Sequence, residues 1–201
     1  MPRAALTQPE IEAFRDEIIR AASRLFAERG YEAVTMRSLA AELGCSPMTP
    51  YRYFDGKAEI FAMVKADAYR RFADAEEGAA ATAADPAARL TVLARAYVDF
   101  ALAEPDAYRI MFELAQAADD AYPEVQAQAH RAWAALRDAV GAAVAAGLIA
   151  GDADDVAHLY WAQVHGLVAL HLAGKLTLGR TLEELLQALL DQNARGRRPS
   201  C

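Results

Sequence analysis

The sequence predicts an all-α protein, in which an N-terminal three-helix unit is joined by a long fourth helix to a C-terminal helical bundle. Three observations carry this expectation. Alanine, leucine and glutamate are abundant and runs of β-branched residues are almost absent, so local preference favours helix. Apolar residues recur at i, i+3 and i+4 along successive segments, and Gly, Pro and Asp punctuate those segments where helices begin and end. With 55% hydrophobic residues the chain has enough apolar surface to bury a substantial core.

Ile18, Ala21, Ala22, Leu25 and Phe26 form one helical stripe, followed by Gly30 where a left-handed terminator belongs, which predicts a first helix over 9–29. Thr35 can cap a second, short helix with Met36, Leu39, Ala40 and Leu43 inward and its end at Gly44. Asp55 can cap a longer helix, running to about Asp74, that carries Ile60, Phe61, Val64, Ala68 and Phe72 on one side. The stretch EEGAAATAADPAAR, Glu76 to Arg89, holds no large apolar residue and reads as a loop or frayed connection. Five further periodic segments follow, over about 86–103, 105–117, 122–146, 152–173 and 181–192, and the polar, basic ARGRRPSC at the end reads as disordered. The organisation expected is therefore 1–60 as one domain, 61–193 as a helical bundle and 194–201 as a tail.

The stretch SPMTPYRYFDGK, Ser46 to Lys57, carries two prolines three residues apart beside strong helix formers. A helix-turn-helix accommodates them. With Ser46 as N-cap, Pro47 occupies the first helical position, where its missing N–H had no partner anyway. Pro50 then removes the first intrahelical bond and disfavours α geometry at Thr49, so the first turn should be distorted or 3₁₀-like. What remains is a short, stiff element whose Ser46, Thr49, Tyr51, Arg52 and Tyr53 can reach phosphate oxygens or base edges of double-stranded DNA. Phe54 is expected in the core, Tyr53 on DNA, and Tyr51 shared between packing and phosphate. Lys57 stands at a helix N-terminus, whose free N–H groups also favour phosphate. A proline-rich loop with packed aromatics is the alternative for this stretch.

The segment IIRAASRLFAERGYEAVTMRSLAAELGCSPMTPYRYFDGKAEIF, Ile18 to Phe61, resembles the tetracycline-repressor-like (TetR) family of bacterial transcription regulators. The resemblance implies that Thr49, Tyr51, Tyr53 and Lys57 touch DNA or its backbone, and that Thr35, Arg37 and Ser38 at the start of the second helix contribute. Pro50 and Cys45 depart from the residues usual at those places. PDAYRIMFEL (Pro105 to Leu114) and YWAQVHGLVALHL (Tyr160 to Leu172) look like the WHG-type regulatory domain found in some TetR regulators. The resemblance further implies a ligand cavity within the bundle. Tyr97, Phe100, Tyr108, Met111, Phe112, Trp133, Trp161 and His165 are the larger groups that would line it, each with simple core packing as its alternative. The effector expected is an apolar or aromatic small molecule.

The segment Val156 to Leu172 is apolar nearly all round, and Leu182, Leu185, Leu186, Leu189 and Leu190 give the last helix a second stripe. Both need cover beyond one bundle, which predicts a homodimer with Leu167, His171, Leu182, Leu186 and Leu189 at its interface, as a palindrome reader requires. The resulting expectation is a ligand-responsive regulator, more often a repressor in this family than an activator.

Charge and motif content limit the other readings. The net charge of −7, concentrated beyond residue 60, argues against a nonspecific polyanion binder. A di-iron bundle needs two carboxylate-x-x-His pairs, and only Asp155 with His158 has that spacing. No Gly-rich phosphate loop, zinc spacing or nucleophile elbow occurs, so no catalytic residue, metal ligand or cofactor is expected. A bundle that binds ligands or proteins without DNA remains the rival from another class. No apolar run approaches the roughly 20 residues that span a bilayer, and the first residues lack a signal-peptide core, so a cytoplasmic location is expected. Cys45 and Cys201 suggest no disulfide framework, and Cys45 reads as a small core residue rather than a redox switch.

Overall fold

A computed structural model describes residues 7–112 and 121–195, and the fold they adopt is all-α, with no strand among them. Eight α-helices and one 3₁₀ turn follow among these residues in the order α1 (Gln8–Ala33), α2 (Met36–Glu42), the turn Pro50–Arg52, α3 (Lys57–Ala81), α4 (Pro86–Ala103), α5 (Pro105–Phe112), α6 (Pro123–Ala145), α7 (Ala153–Leu172) and α8 (Leu182–Arg195). The chain divides into two compact units, one built from Met1–Tyr69 with Asp106–Gln128 and the other from Arg70–Pro105 with Ala129–Cys201. The boundary drawn at residue 60 from the sequence falls inside α3, whose residues up to Tyr69 belong to the first unit and from Arg70 to the second.

In the first unit the expected stripe closes the core. Ile18, Leu25 and Phe26 of α1 meet Leu39 of α2, Phe54, and Ile60, Phe61 and Val64 of α3, with Ile110 of α5 in the same cluster. Phe26 and Tyr31 both stand edge-on to Phe61, with ring centroids 5.0 Å apart in each pair. Each such side chain withdrawn from water contributes about 1.5–3 kcal/mol. Gly30 adopts φ +75°, which breaks α1 where the sequence predicts its end, and one further helical turn through Ala33 follows the kink. That conformation suits a residue without Cβ.

In the second unit the shared core is rich in alanine. Leu90 and Leu93 of α4 pack with Ala139, Val140 and Ala143 of α6 and with Ala157 and Tyr160 of α7. Small residues at such contacts allow close helix approach. Asp85 starts α4 by accepting bonds from the Ala87 and Ala88 N–H groups at 3.0 and 2.9 Å, and Asp152 does the same for α7.

The connection expected between Glu76 and Arg89 is not a loop. Helix α3 runs on to Ala81, leaving only residues 82–85 before α4. Alanine has the highest intrinsic helix preference, so an alanine run without large apolar residues forms helix and merely buries little. Asp55 does not cap α3 either. The Ile60 N–H donates to the Gly56 carbonyl, which makes Gly56 the N-cap, while the Asp55 N–H donates to the Glu59 carboxylate at 2.6 Å. The segments expected over 86–103, 122–146 and 152–173 match their helices to within a residue, and α8 extends past its expected end at Gln192 to Arg195. The end of the segment expected over 105–117, and the tail from residue 196, lie outside the described residues.

Candidate nucleic-acid interface and ligand cavity

The α2 N-terminus is built by two hydroxyls. The Ser38 N–H donates to Thr35 Oγ1 at 3.0 Å and the Thr35 N–H donates to Ser38 Oγ at 2.9 Å, so Ser38 takes the place that Glu or Gln holds in the usual capping box. Arg37, between these two residues, is exposed.

Between α2 and α3 the backbone forms consecutive tight turns. The Thr49 N–H donates to the Ser46 carbonyl at 2.8 Å, the Arg52 N–H to Thr49 at 3.1 Å and the Tyr53 N–H to Pro50 at 3.0 Å. The expected distortion therefore extends over the whole element, and the regular part is the 3₁₀ turn Pro50–Arg52. Phe54 is buried, as the sequence predicts. The two tyrosines behave differently from expectation. Tyr53 is half-buried against Phe14, at 4.9 Å between ring centroids, and its carbonyl accepts a bond from Arg15, whose guanidinium covers the Phe54 ring at 4.2 Å. Tyr51 is the outward one, at 49% exposed. Lys57 sits over the Tyr31 ring at 4.0 Å and donates to the Tyr31 carbonyl at 2.9 Å.

Among the described residues neither Arg37 nor Arg52 is paired with a carboxylate, and both are exposed. Ser46 and Thr35 are exposed, and Thr49 and Ser38 are half-buried. Met48, not singled out from the sequence, is 67% exposed on the same turn segment. An exposed apolar side chain beside cations suits a thymine methyl group. Cys45 is half-buried with a free thiol.

The second unit holds a small cavity, about 20 Å³ where it is enclosed and about 290 Å³ when its open mouth is counted, lined by Glu76, Leu90, Leu93, Ala94, Tyr97, Leu136, Tyr160, Trp161 and Val164. Of the eight side chains expected around a ligand, Tyr97 and Trp161 line it. His165 accepts or donates a 2.9 Å hydrogen bond at the Tyr97 hydroxyl, and Trp133 packs on Trp161 at 6.1 Å and on His158 at 4.4 Å. Phe100 is buried against Phe72 at 5.2 Å. Tyr108, Met111 and Phe112 belong to the first unit, where Phe112 packs on Tyr69 and Tyr108 and the Tyr69 hydroxyl donates to the Met111 carbonyl at 3.3 Å. Tyr108 and Met111 are buried there and Phe112 is half-buried, because α5 groups with the residues up to Tyr69 although it follows α4 in sequence.

Glu76 is the cavity's unexpected member. It is 4% exposed, and burial alone raises its carboxyl from an ordinary 4.5 to about 8. The signal was in the periodicity, since Phe72 plus four is Glu76, the next place on the inward stripe of α3. Its neighbours Asp74 and Glu77 face Arg131 instead, with Asp74 at 2.6 Å, and that guanidinium holds the Asp74 carboxyl below its usual range. Among the described residues no group of three or more His, Cys, Asp or Glu could hold a metal ion, and no helix is long and apolar enough to cross a membrane.

The expected interface positions also divide. Leu182 and Leu186 are buried within this chain, so the α8 stripe is filled internally to that extent. Leu167 and Leu189 are half-buried and His171 is exposed. Exposed apolar surface in this unit includes Leu159 at 63% and Leu170 at 47% on α7, together with Leu102 of α4 and Leu178 between α7 and α8.

A capped helix, a tight turn segment with outward cations, and a long helix starting beside them define a helix-turn-helix DNA-binding class of protein. The comparisons agree and go further. Residues 18–64 match the model of bacterial regulatory proteins of the tetR family, and residues 90–193 match the tetracyclin repressor-like C-terminal domain. The chain belongs to the TetR family of transcription regulators. It is 31% identical over 126 residues to the HTH-type transcriptional activator FasR of Mycolicibacterium smegmatis, a match covering 63% of this chain and 56% of that protein. The match thus spans little more than half the length of that relative. Among solved structures it resembles a Rhodococcus sp. RHA1 protein of unknown function, with 27% identity, a TM-score of 0.80 and 98% of each chain covered. It shares its fold with the TetR family transcriptional regulator PfmR of Thermus thermophilus, at 23% identity and a TM-score of 0.69, over 92% of this chain and 100% of that one.

Proposed function

We propose that this regulator binds a palindromic DNA operator as a homodimer and leaves it when a small-molecule effector enters the second unit, acting in the cytoplasm as a repressor. The observation that carries the reading is the set of exposed residues Arg37, Met48, Tyr51 and Arg52, where cations without carboxylate partners among the described residues accompany groups suited to base edges. The half-sites are read by the two copies of that set, about 34 Å apart. Leu159, Gln163, Gly166 and Leu170 follow helical spacing on α7 and supply one self-complementary face of the dimer, with Leu167, His171 and Leu189 beside it.

The effector site is the cavity lined by Glu76, Tyr97 and Trp161. Glu76 and Lys57 are on one continuous helix, α3, so a ligand that favours one arrangement of that helix changes operator affinity by its preference for that arrangement and no more. FasR carries the name of an activator. The position of the operator relative to the promoter decides the sign here. The test is titration of labelled duplexes from the DNA flanking the protein's own gene at several salt concentrations. Selective binding whose affinity falls with a steep power of salt supports the reading. Equal affinity for an unrelated duplex of the same length overturns it.

A further inference from the structure

We infer that the cavity on α3 is built for a small apolar cation, an alkyl- or aryl-ammonium compound, with Glu76 as its counter-ion. The inference rests on reading this cavity as the effector site and adds the ligand class. Three features carry it. First, Glu76 lines the cavity, is almost completely withdrawn from water, and has neither a hydrogen-bond nor an ion-pair partner among the described residues. A buried carboxyl left alone is costly to keep, and most buried polar groups are paired. The neighbouring Asp74 and Glu77 show the contrast, since both are bound by Arg131.

Second, the polar character of the site has one sign. Among the described residues no basic side chain lines the cavity, so a carboxylate or phosphate ligand would meet an acidic group with nothing to neutralise it. Third, the rest of the wall is apolar or aromatic. Tyr97, Tyr160 and Trp161 present ring surface around one carboxyl, the combination that recognises ammonium groups through ring quadrupoles and one opposite charge. The enclosed part of the cavity is small, about 20 Å³ against the about 290 Å³ that counts the open mouth, so it takes little more than a compact ammonium head.

The ligand-free site holds its proton at neutral pH, because burial lifts the carboxyl to about 8. Binding a cation therefore expels that proton, and affinity rises with pH. A neutral ligand that accepts a bond from the protonated acid behaves in the opposite way. The full-length protein is titrated by calorimetry with benzyltrimethylammonium, whose charge does not titrate, and with the neutral N,N-dimethyl-2-phenylacetamide of similar size. The cation should bind more tightly than the amide, with affinity rising roughly eightfold from pH 7 to 8.5, the gain in ionised fraction for a group near 8. Glu76→Gln should weaken the cation at least tenfold, remove the pH dependence and leave the amide unchanged. No cation binding, tighter binding of the amide, or unaltered cation binding in Glu76→Gln overturns the inference. Operator titration of the same proteins keeps the two readings apart. Selective DNA binding without cation binding discards only the ligand class, whereas Glu76-dependent cation binding without operator selectivity discards only the regulator.

Discussion

The Lys57 ammonium rests 4.0 Å above the Tyr31 ring and donates to the Tyr31 carbonyl at 2.9 Å, so the cation at the start of α3 is held by the end of the chain segment that closes α1. One of its three N–H donors is used there, which leaves two for a DNA phosphate. Lys57→Ala should reduce the magnitude of the salt slope of operator binding by about 0.9, the share of one phosphate contact. It should also lower the unfolding free energy by about 1 kcal/mol through the lost cation–π contact. An unchanged slope with lowered stability would assign Lys57 to the fold alone.

Arg37 and Arg52 are exposed and without carboxylate partners among the described residues, so removing either should leave the melting temperature in place. Arg37→Ala and Arg52→Ala should each weaken operator binding, by about 1–3 kcal/mol if the contact is a guanine edge and nearly uniformly across sequences if it is a phosphate. Tyr51→Phe should cost more affinity than Tyr53→Phe, because Tyr53 is packed against Phe14 and Tyr51 faces outward. The opposite order in a duplex titration would place Tyr53 on the DNA.

Helix existence was legible because apolar spacing and caps act locally, and Thr35, Asp85 and Asp152 start helices through bonds to residues two or three further on. The outward side of the turn segment was less legible. Tyr51 and Tyr53 are alike in sequence, and the choice between them was made by Phe14 and Arg15 on a distant helix. The same limit separated Tyr108, Met111 and Phe112 from the cavity, since which unit a short helix joins is a tertiary decision. Glu76 was hidden because the stretch it opens, without a large apolar residue as far as Arg89, reads as a loop. The inward stripe through Ala68 and Phe72 already pointed at it.

Leu186 and Leu170 should separate folding from assembly. Leu186 is 1% exposed inside its own chain, so Leu186→Arg should unfold the second unit, losing well over ~2 kcal/mol and much of the helical circular dichroism. Leu170 is 47% exposed on α7, so Leu170→Arg should keep its helicity and sediment as a monomer if α7 forms the dimer face. A helical, dimeric Leu170→Arg protein would move the interface elsewhere.

The buried Glu76 should also make the second unit's stability depend on pH in a specified direction. Its carboxyl titrates near 8 when folded against an ordinary 4.5, so between those values the folded state holds a proton that the unfolded state has released. Stability contributed by this group is then present at low pH and is lost as pH rises from about 4.5 through 8, the reverse of the usual paired carboxylate. No basic side chain lines the cavity among the described residues, and His165, bonded to the Tyr97 hydroxyl, is not among its lining groups. Tyr97 of α4 and Tyr160 of α7 carry phenols, Leu136 of α6 is apolar, and Arg131 is engaged by Asp74 and Glu77 on the other side of α3. At pH 7 the shift corresponds to about 3 kcal/mol of destabilisation relative to acid conditions, from about 2.5 pH units at roughly 1.36 kcal/mol each. Glu76→Gln, which keeps the shape and cannot ionise, should therefore unfold at higher urea than the parent at pH 8, with the difference shrinking toward pH 5. Parallel urea midpoints for the two proteins across that range would mean that Glu76 is hydrated or paired in solution, and its role as the cavity's charged group would fall with that result.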